Sequence, residues 1–216
     1  MVAGSCFAAE CQAQDNLTIK IDEITDGKSI PAKFAYCMPD GKGHTQDGGD
    51  INPAIHWSGA PEKTKSYALI VVDPDVPAKF DDANKSGKTI AADFPRQDFY
   101  HWVLVDIPAN VNGVAEGKDS NGVTKGGKPT GKTEYGINGV TGYGFGGYDG
   151  PCPPWNDERL HHYHFKVYAL DIPSLSLASP VKGADAELAM KGHILAQGEM
   201  VGTYTNNASI AANAVK

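Results

Sequence analysis

The sequence predicts a mainly β domain with few helices. Three observations carry this: alternation of apolar and polar residues from Leu17, two short β-branched runs at 67–72 and 100–107, and one segment with helical spacing. Leu17, Ile19 and Ile21 alternate with Thr18 and Lys20, the pattern of a half-buried strand. Phe34 to Tyr36 reads as a second short strand. Tyr67 to Val72 is continuously apolar, as expected of a central strand covered on both faces. Tyr100 to Ile107 reads the same way, and Pro108 stops it. Tyr163 to Leu170 alternates and ends at Asp171-Ile172-Pro173. The helix is expected over Asp185 to Leu195, capped by Asp185, with Leu188, Lys191 and Leu195 at helical spacing. Met200 to Tyr204 returns to strand. Residues 112–150 are rich in Gly, Lys and Asn and predict a long loop, with Lys118 to Gly147 the most mobile internal segment. The tail from Thr205 to Lys216 is small and polar and is expected to be disordered. One domain over 17–204 is therefore expected, between an extension at 1–16 and a tail at 205–216.

The chain has 216 residues, which suits one domain, and 41% hydrophobic residues, enough for a sizeable core. Its 19 basic and 26 acidic residues give a net charge of -7. That balance argues against a nucleic-acid partner and against docking on anionic lipid by charge. No apolar run approaches the roughly 20 residues that span a bilayer. The first residues, MVAGSCFAAECQAQ, lack the basic start and long apolar stretch of an intact signal peptide. Two readings stand: the clipped end of such a peptide, or a frayed terminus. Four cysteines, Cys6, Cys11, Cys37 and Cys152, permit three full pairings. An even count with an export-like start leans toward an oxidising compartment, periplasmic or secreted, with the cytoplasm as the alternative.

Gly126-Gly-Lys-Pro-Thr-Gly131-Lys132-Thr133 fits the phosphate-loop pattern G-x-x-x-x-G-K-[ST]. The chemistry needs a buried strand before the loop and a helix after it, whose N-terminus cradles phosphate. Here polar residues precede the match and Glu134-Tyr-Gly-Ile-Asn-Gly follows it, where repeated glycine disfavours a helix. The match is read as a flexible loop without nucleotide.

Four segments carry chemistry in a fixed order. Asp73-Pro74-Asp75-Val76-Pro77 follows the first central strand, and two carboxylates two apart can converge on one side of extended backbone. Taken alone it reads as a turn. His101-Trp102 lies in the second central strand, where a lone histidine is more often a satisfied core residue. Gly150-Pro151-Cys152-Pro153-Pro154 is a proline-stiffened turn whose Cys152 amide is free to face a ligand. His161-His162-Tyr163-His164 opens the next strand, with His161 and Tyr163 on one face and His162 and His164 on the other.

The order DPDVP, HW, GPCPP, HHYHFKVYALD resembles the two signature regions of the phosphatidylethanolamine-binding protein family, in its bacterial Raf kinase inhibitor-like branch. Ala54-Ile-His-Trp-Ser-Gly-Ala-Pro61, Met190 to Leu195 and Val201 to Tyr204 resemble the flanking elements, so the likeness runs from about Leu17 to Tyr204. It implies a large β-sheet packed on a smaller one, with few helices at the edge. It implies a pocket for phosphate, phosphorylethanolamine or similar small anions, formed by Asp73, Asp75, His101, Gly150, Pro151, Cys152, His161 and Tyr163. It also implies a cis peptide at Val76–Pro77, where a tight reversal is expected. Between DPDVP and HW the run from Ala78 to Tyr100 is longer than in compact members, and the glycine-rich stretch before Gly150 is enlarged; both border the expected pocket mouth.

The function expected is a non-enzymatic binding module for a small anion or phospholipid headgroup, without cofactor, that regulates or inhibits another protein, such as a kinase or protease. A homodimer stays open. The alternative is a metal-dependent hydrolase, because two carboxylates and two histidines can hold Zn²⁺ or Fe²⁺, and His162 with His164 offers a second conceivable pair.

Overall fold

The structure is a computed structural model that describes residues 15–123 and 127–214. Twelve strands and two α-helices follow in chain order: β1 (Asp15–Asn16), β2 (Thr18–Ile21), β3 (Cys37–Pro39), β4 (Thr45–Asp47), β5 (Ile55–Ser58), β6 (Ser66–Pro77), β7 (Arg96–Pro108), β8 (Gly113–Val114), β9 (Gly131–Lys132), β10 (Ile137–Asn138), β11 (His161–Leu170), α1 (Gly183–Met190), β12 (Ile194–Tyr204) and α2 (Ala208–Ala214). Seven strands form one sheet in the order β1-β12-β11-β6-β7-β10-β9. A smaller sheet, β2-β5-β8, lies over it, and β3-β4 is a separate hairpin.

The two central strands are apolar over most of 67–72 and 100–107 because both faces are covered there. On one face Leu69, Val71, Trp102 and Leu104 join Phe165 and Val167 against Ile21, Ile55, Trp57 and Val114 of the smaller sheet. On the other face Ala68, Ile70, Val72, Val103 and Val105 meet Ala186 and Met190 of α1, with Leu175 and Val181. The period-2 alternation along β6 thus divides its side chains between two cores.

Several expectations are corrected. Phe34–Tyr36 is not a strand: Ala32–Phe34 is a 3-10 turn and β3 starts at Cys37. DPDVP does not end its strand; β6 runs through Pro77. Pro74 is tolerated because pairing with β11 stops at Val72 and the register with β7 is broken between Asp73 and Val76, and Pro77, paired with Arg96, is the last residue of the strand. Val76–Pro77 is trans, and the cis peptide among the described residues is Ser179–Pro180. α1 stops at Met190, before Gly192 takes φ +84° and turns the chain into β12. Its buried residues are Gly183, Ala186 and Met190, while Leu188 is 63% exposed, so the expected Leu188 face is the outer one. Asp185 lies in the first turn, where a carboxylate suits the helix dipole, but Lys182 is the N-cap. The tail carries α2 and a buried Asn206, whose amide donates to Pro153 O (2.8 Å) and Cys37 Sγ (3.1 Å). Residues 1–14, with Cys6 and Cys11, lie outside the described residues.

The glycine-rich stretch is anchored by a polar group instead of an apolar one. Asp119 is fully buried and accepts from Trp102 Nε1 (2.7 Å), Asn138 Nδ2 (2.8 Å) and Lys128 Nζ (2.9 Å). At the phosphate-loop match, Gly131–Lys132 is a strand paired antiparallel with β10, and no helix follows it. The geometry that cradles a nucleotide phosphate is absent from residues 127–138.

Candidate functional site

The end of the large sheet where β6, β7 and β11 diverge holds a cavity of about 290 Å³. Asp73, His101, Cys152, His161 and Tyr163 line it, as the sequence led one to expect. Gly150 and Pro151 do not reach it; their place is structural. A side chain at position 150 would put its first carbon 2.1 Å from Phe34 O, so only glycine lets this turn lie on the 34–36 backbone. Pro151 O then accepts from the Tyr36 (3.0 Å) and Cys37 (3.3 Å) amides. Cys152 is disulfide-bonded to Cys37, which ties the turn to β3 and resolves the pairing of these two cysteines.

Asp73 and Asp75 do not converge. Asp73 is fully buried; its Oδ1 accepts from the Asp75 amide (2.8 Å) and its Oδ2 from His161 Nδ1 (2.6 Å). Asp75 instead accepts from Arg159 Nε and from His162 Nδ1 (2.7 Å), side chains that are nearly half exposed. The irregular register between Asp73 and Val76 breaks the two-residue periodicity on which convergence depended. Burial works to raise the Asp75 pKa, but His162 and Arg159 outweigh it and hold the carboxyl below its usual range.

His161 sits between two carboxylates, donating to Asp73 and, through Nε2, to Asp157 Oδ2 (3.3 Å). Burial opposes its charge, yet the hydrogen bonds to Asp157 and Asp73 dominate and push its pKa up to about 9. It is an imidazolium at neutral pH, with both N–H groups committed. Asp157 is in turn held by Arg96, whose Nη1 (2.6 Å) and Nη2 (3.0 Å) form a fork on the carboxylate. The buried row Arg96–Asp157–His161–Asp73 is therefore balanced in charge. Asp157 and Arg96 were not anticipated; the one signal was that charged residues stand four before His161 and five before His101.

His101 differs. Its Nδ1 donates to Asp149 O (2.8 Å), since a carbonyl only accepts, and its Nε2 has no partner among the described residues. Burial lowers its pKa, only partly offset by the charge on Asp73, so the ring is neutral and Nε2 is a lone pair. Asp149 itself, also unforeseen, is fully buried with neither carboxyl oxygen bonded. Burial first, and the charge of Asp50 second, push its pKa up to about 9.

His162 and His164, read from sequence as a conceivable metal pair, engage different carboxylates: Asp75 and Glu199 (2.6 Å). Among the described residues no group of three His, Cys, Asp or Glu side chains is placed to hold a metal ion.

Both enlarged segments contribute to the rest of the wall. Phe80, Asn84 and Phe99 belong to the first and Tyr143 to the second, and Tyr36 joins them from before β3. Asn156 ties the first segment down, donating to Asp82 O (2.8 Å) and Lys88 O (3.0 Å).

Known proteins share this architecture. The phosphatidylethanolamine-binding protein family model matches residues 20–205. A UPF0098 protein of Aquifex aeolicus is 34% identical over 193 residues, covering 88% of this chain and 96% of that one. The UPF0098 protein YbcL of Escherichia coli is 30% identical over 198 residues, covering 92% and 91%. The crystal structure of E. coli YbcL, described as a new member of the mammalian PEBP family, superposes with a TM-score of 0.63 at 28% identity over 89% of this chain and 99% of that one. The Chlamydia trachomatis homolog CT736 gives 0.62 at 28% identity over 88% and 97%. Matching in sequence over nearly its whole length and in the fold that frames the pocket, the chain belongs to the phosphatidylethanolamine-binding protein family.

Proposed function

We propose that the chain is a non-enzymatic binding module whose pocket takes a phosphate-class anion or phospholipid headgroup, and whose occupancy regulates another protein. The family's name supports the ligand class. The observation that carries the reading is His101: it lines the cavity, and its Nε2 is buried without a partner while Nδ1 is fixed. An orphaned buried nitrogen is costly unless something arrives to bond it. One proton has to lie between Nε2 and an anion there, carried by the ring or by the anion's own hydroxyl, so binding is coupled to protonation. His161 supplies no free donor, and Cys152 is no nucleophile while bonded to Cys37. The disulfide beside the pocket suits an oxidising compartment, and export is part of the proposal.

Calorimetric titration of inorganic phosphate at about pH 5.5 and 7.5 tests it. Uptake of one proton above the His101 pKa makes affinity fall about tenfold per pH unit. Affinity that is flat across this range, or unchanged by His101→Ala, rejects the role given to His101.

A further inference from the structure

We propose that Cys37–Cys152 is a redox-active couple, opened in the folded chain by a low-molecular-weight thiol that attacks Cys152, with Cys37 as the leaving sulfur. This goes beyond the binding role above and does not depend on it, because it concerns the disulfide and not the histidines.

The two sulfurs are not equivalent. Cys152 is partly exposed and faces the cavity, while Cys37 is buried at 5% exposure and is not part of the cavity wall. A thiolate arriving from solvent therefore meets Cys152 first. Cys37 Sγ accepts from Asn206 Nδ2 (3.1 Å), and the same amide group donates to Pro153 O (2.8 Å). The carbonyl of Pro153 takes only a donor, so it fixes the buried Asn206 side chain with its NH2 group and not its oxygen toward the sulfur. A neutral disulfide sulfur gains little from such a donor. A thiolate gains more, because hydrogen bonds to charged groups are the stronger ones. Asn206 thus favours departure of Cys37, and exchange is faster the better the leaving thiolate is stabilised.

The backbone around the couple does not rely on the sulfur–sulfur bond. Pro151 O accepts from the Tyr36 and Cys37 amides, Tyr204 OH donates to Cys37 O (3.1 Å), and Gly150 N donates to Asp50 Oδ1 (2.7 Å). Cys152 stands between Pro151 and Pro153, so the backbone on both sides of it is stiff. Opening therefore leaves the two cysteines face to face, with Cα atoms held 5.0 Å apart, and does not release the turn. Reclosure needs no search by the chain. A bond that only stapled two segments would need neither access to one sulfur nor a donor on the other.

The chemistry is two exchanges. A thiolate RS⁻ forms a bond to Cys152 Sγ, the Cys37–Cys152 bond breaks, and its electron pair leaves on Cys37 Sγ. A second RS⁻ attacks the RS sulfur of the mixed disulfide, giving RSSR and releasing Cys152 as thiolate. The protons lost to water by the two thiols are regained by the two protein thiolates. The protein disulfide is reduced and the small thiol is oxidised to its own disulfide.

The test uses the full chain with Cys6→Ser and Cys11→Ser, which leaves this pair alone. It is exposed to 2-mercaptoethanol without denaturant at about pH 7.5, where part of a thiol is ionised. Iodoacetamide traps samples over time, and peptide masses locate each group. Cys152 should carry the mixed disulfide while Cys37 in the same molecule is alkylated, with circular dichroism unchanged. The opening rate should be flat at urea concentrations below the unfolding transition, and hydroxyethyl disulfide should close the bond again. Asn206→Ala, checked for folding by circular dichroism, should open roughly tenfold more slowly, the worth of one hydrogen bond to the developing charge. A mixed disulfide on Cys37, opening that rises with urea as the chain unfolds, or loss of the native dichroism on opening overturns the proposal, and these readouts come from the chain with Asn206 intact. A folded Asn206→Ala variant that opens as fast as its parent overturns the part given to Asn206.

Discussion

Replacing Asp149 with asparagine should stabilise the fold, and by more as the pH rises. The carboxyl is fully buried, neither oxygen is bonded, and its pKa is pushed up to about 9 by burial and by Asp50. In the unfolded chain an aspartate ionises near 3.9. Folding at pH 7 therefore takes up a proton, at a cost of about 1.36 kcal/mol per pH unit above the unfolded value, or about 4 kcal/mol. The sign follows from the folded state holding the extra proton: stability declines as pH rises from about 4 to about 9. Asparagine has nearly the same shape and no charge to suppress, so this slope disappears. Urea unfolding of parent and variant at about pH 5, 6.5 and 8 measures it. The difference in unfolding free energy should widen by about 1 kcal/mol per pH unit, with 1.36 as the limit. A difference that stays constant, or a variant less stable than its parent at the highest pH, would refute the reasoning, because either means that the buried carboxyl is ionised and partnered.

Arg96→Met leaves Asp157 as a buried carboxylate held only by His161 and the Arg159 amide, and should cost about 3–5 kcal/mol in urea unfolding; a loss below about 1 kcal/mol would show the pair to be solvated. His161, with its pKa raised to about 9, contributes stability that is complete below about 6.5 and lost as pH rises through 9; its ring proton resonances should titrate near 9, and a midpoint below 7 would contradict the clamp by two carboxylates. The Cys37–Cys152 bond closes a loop with a sequence separation of 115, so replacing both cysteines with alanine should lower stability by about 4–5 kcal/mol on the chain-entropy estimate, read from the shift in unfolding midpoint. Leu69→Ala, fully buried, should cost about 2–5 kcal/mol, while Leu188→Ala, exposed on α1, should stay within about 0.5 kcal/mol; similar losses at both would place α1 the other way round.

The sequence by itself determined the central strands, the family and five of the residues that line the cavity. Tyr67 to Val72 and Tyr100 to Ile107 are legible because a strand covered on both faces is mostly apolar, and Tyr163 to Leu170 because it alternates, both properties local to the segment. Asp73, His101, Cys152, His161 and Tyr163 were legible because they stand in a specific order along those strands and the turn between them. Tertiary structure alone decided the rest. Asp75 stays buried but turns away from the cavity, toward His162 and Arg159, because the β6–β7 register slips beside it, and a slip is set by the neighbouring strand. The helix ends early because Gly192 adopts a left-handed turn that helical spacing does not reveal. Asp157 and Arg96, 61 residues apart, carry no periodicity and look like any surface charges until folding places them in one buried row. The protonation states follow from the same convergence. His161 is charged and His101 neutral because one ring lies between two carboxylates and the other against a carbonyl, and only the folded chain brings those partners within reach.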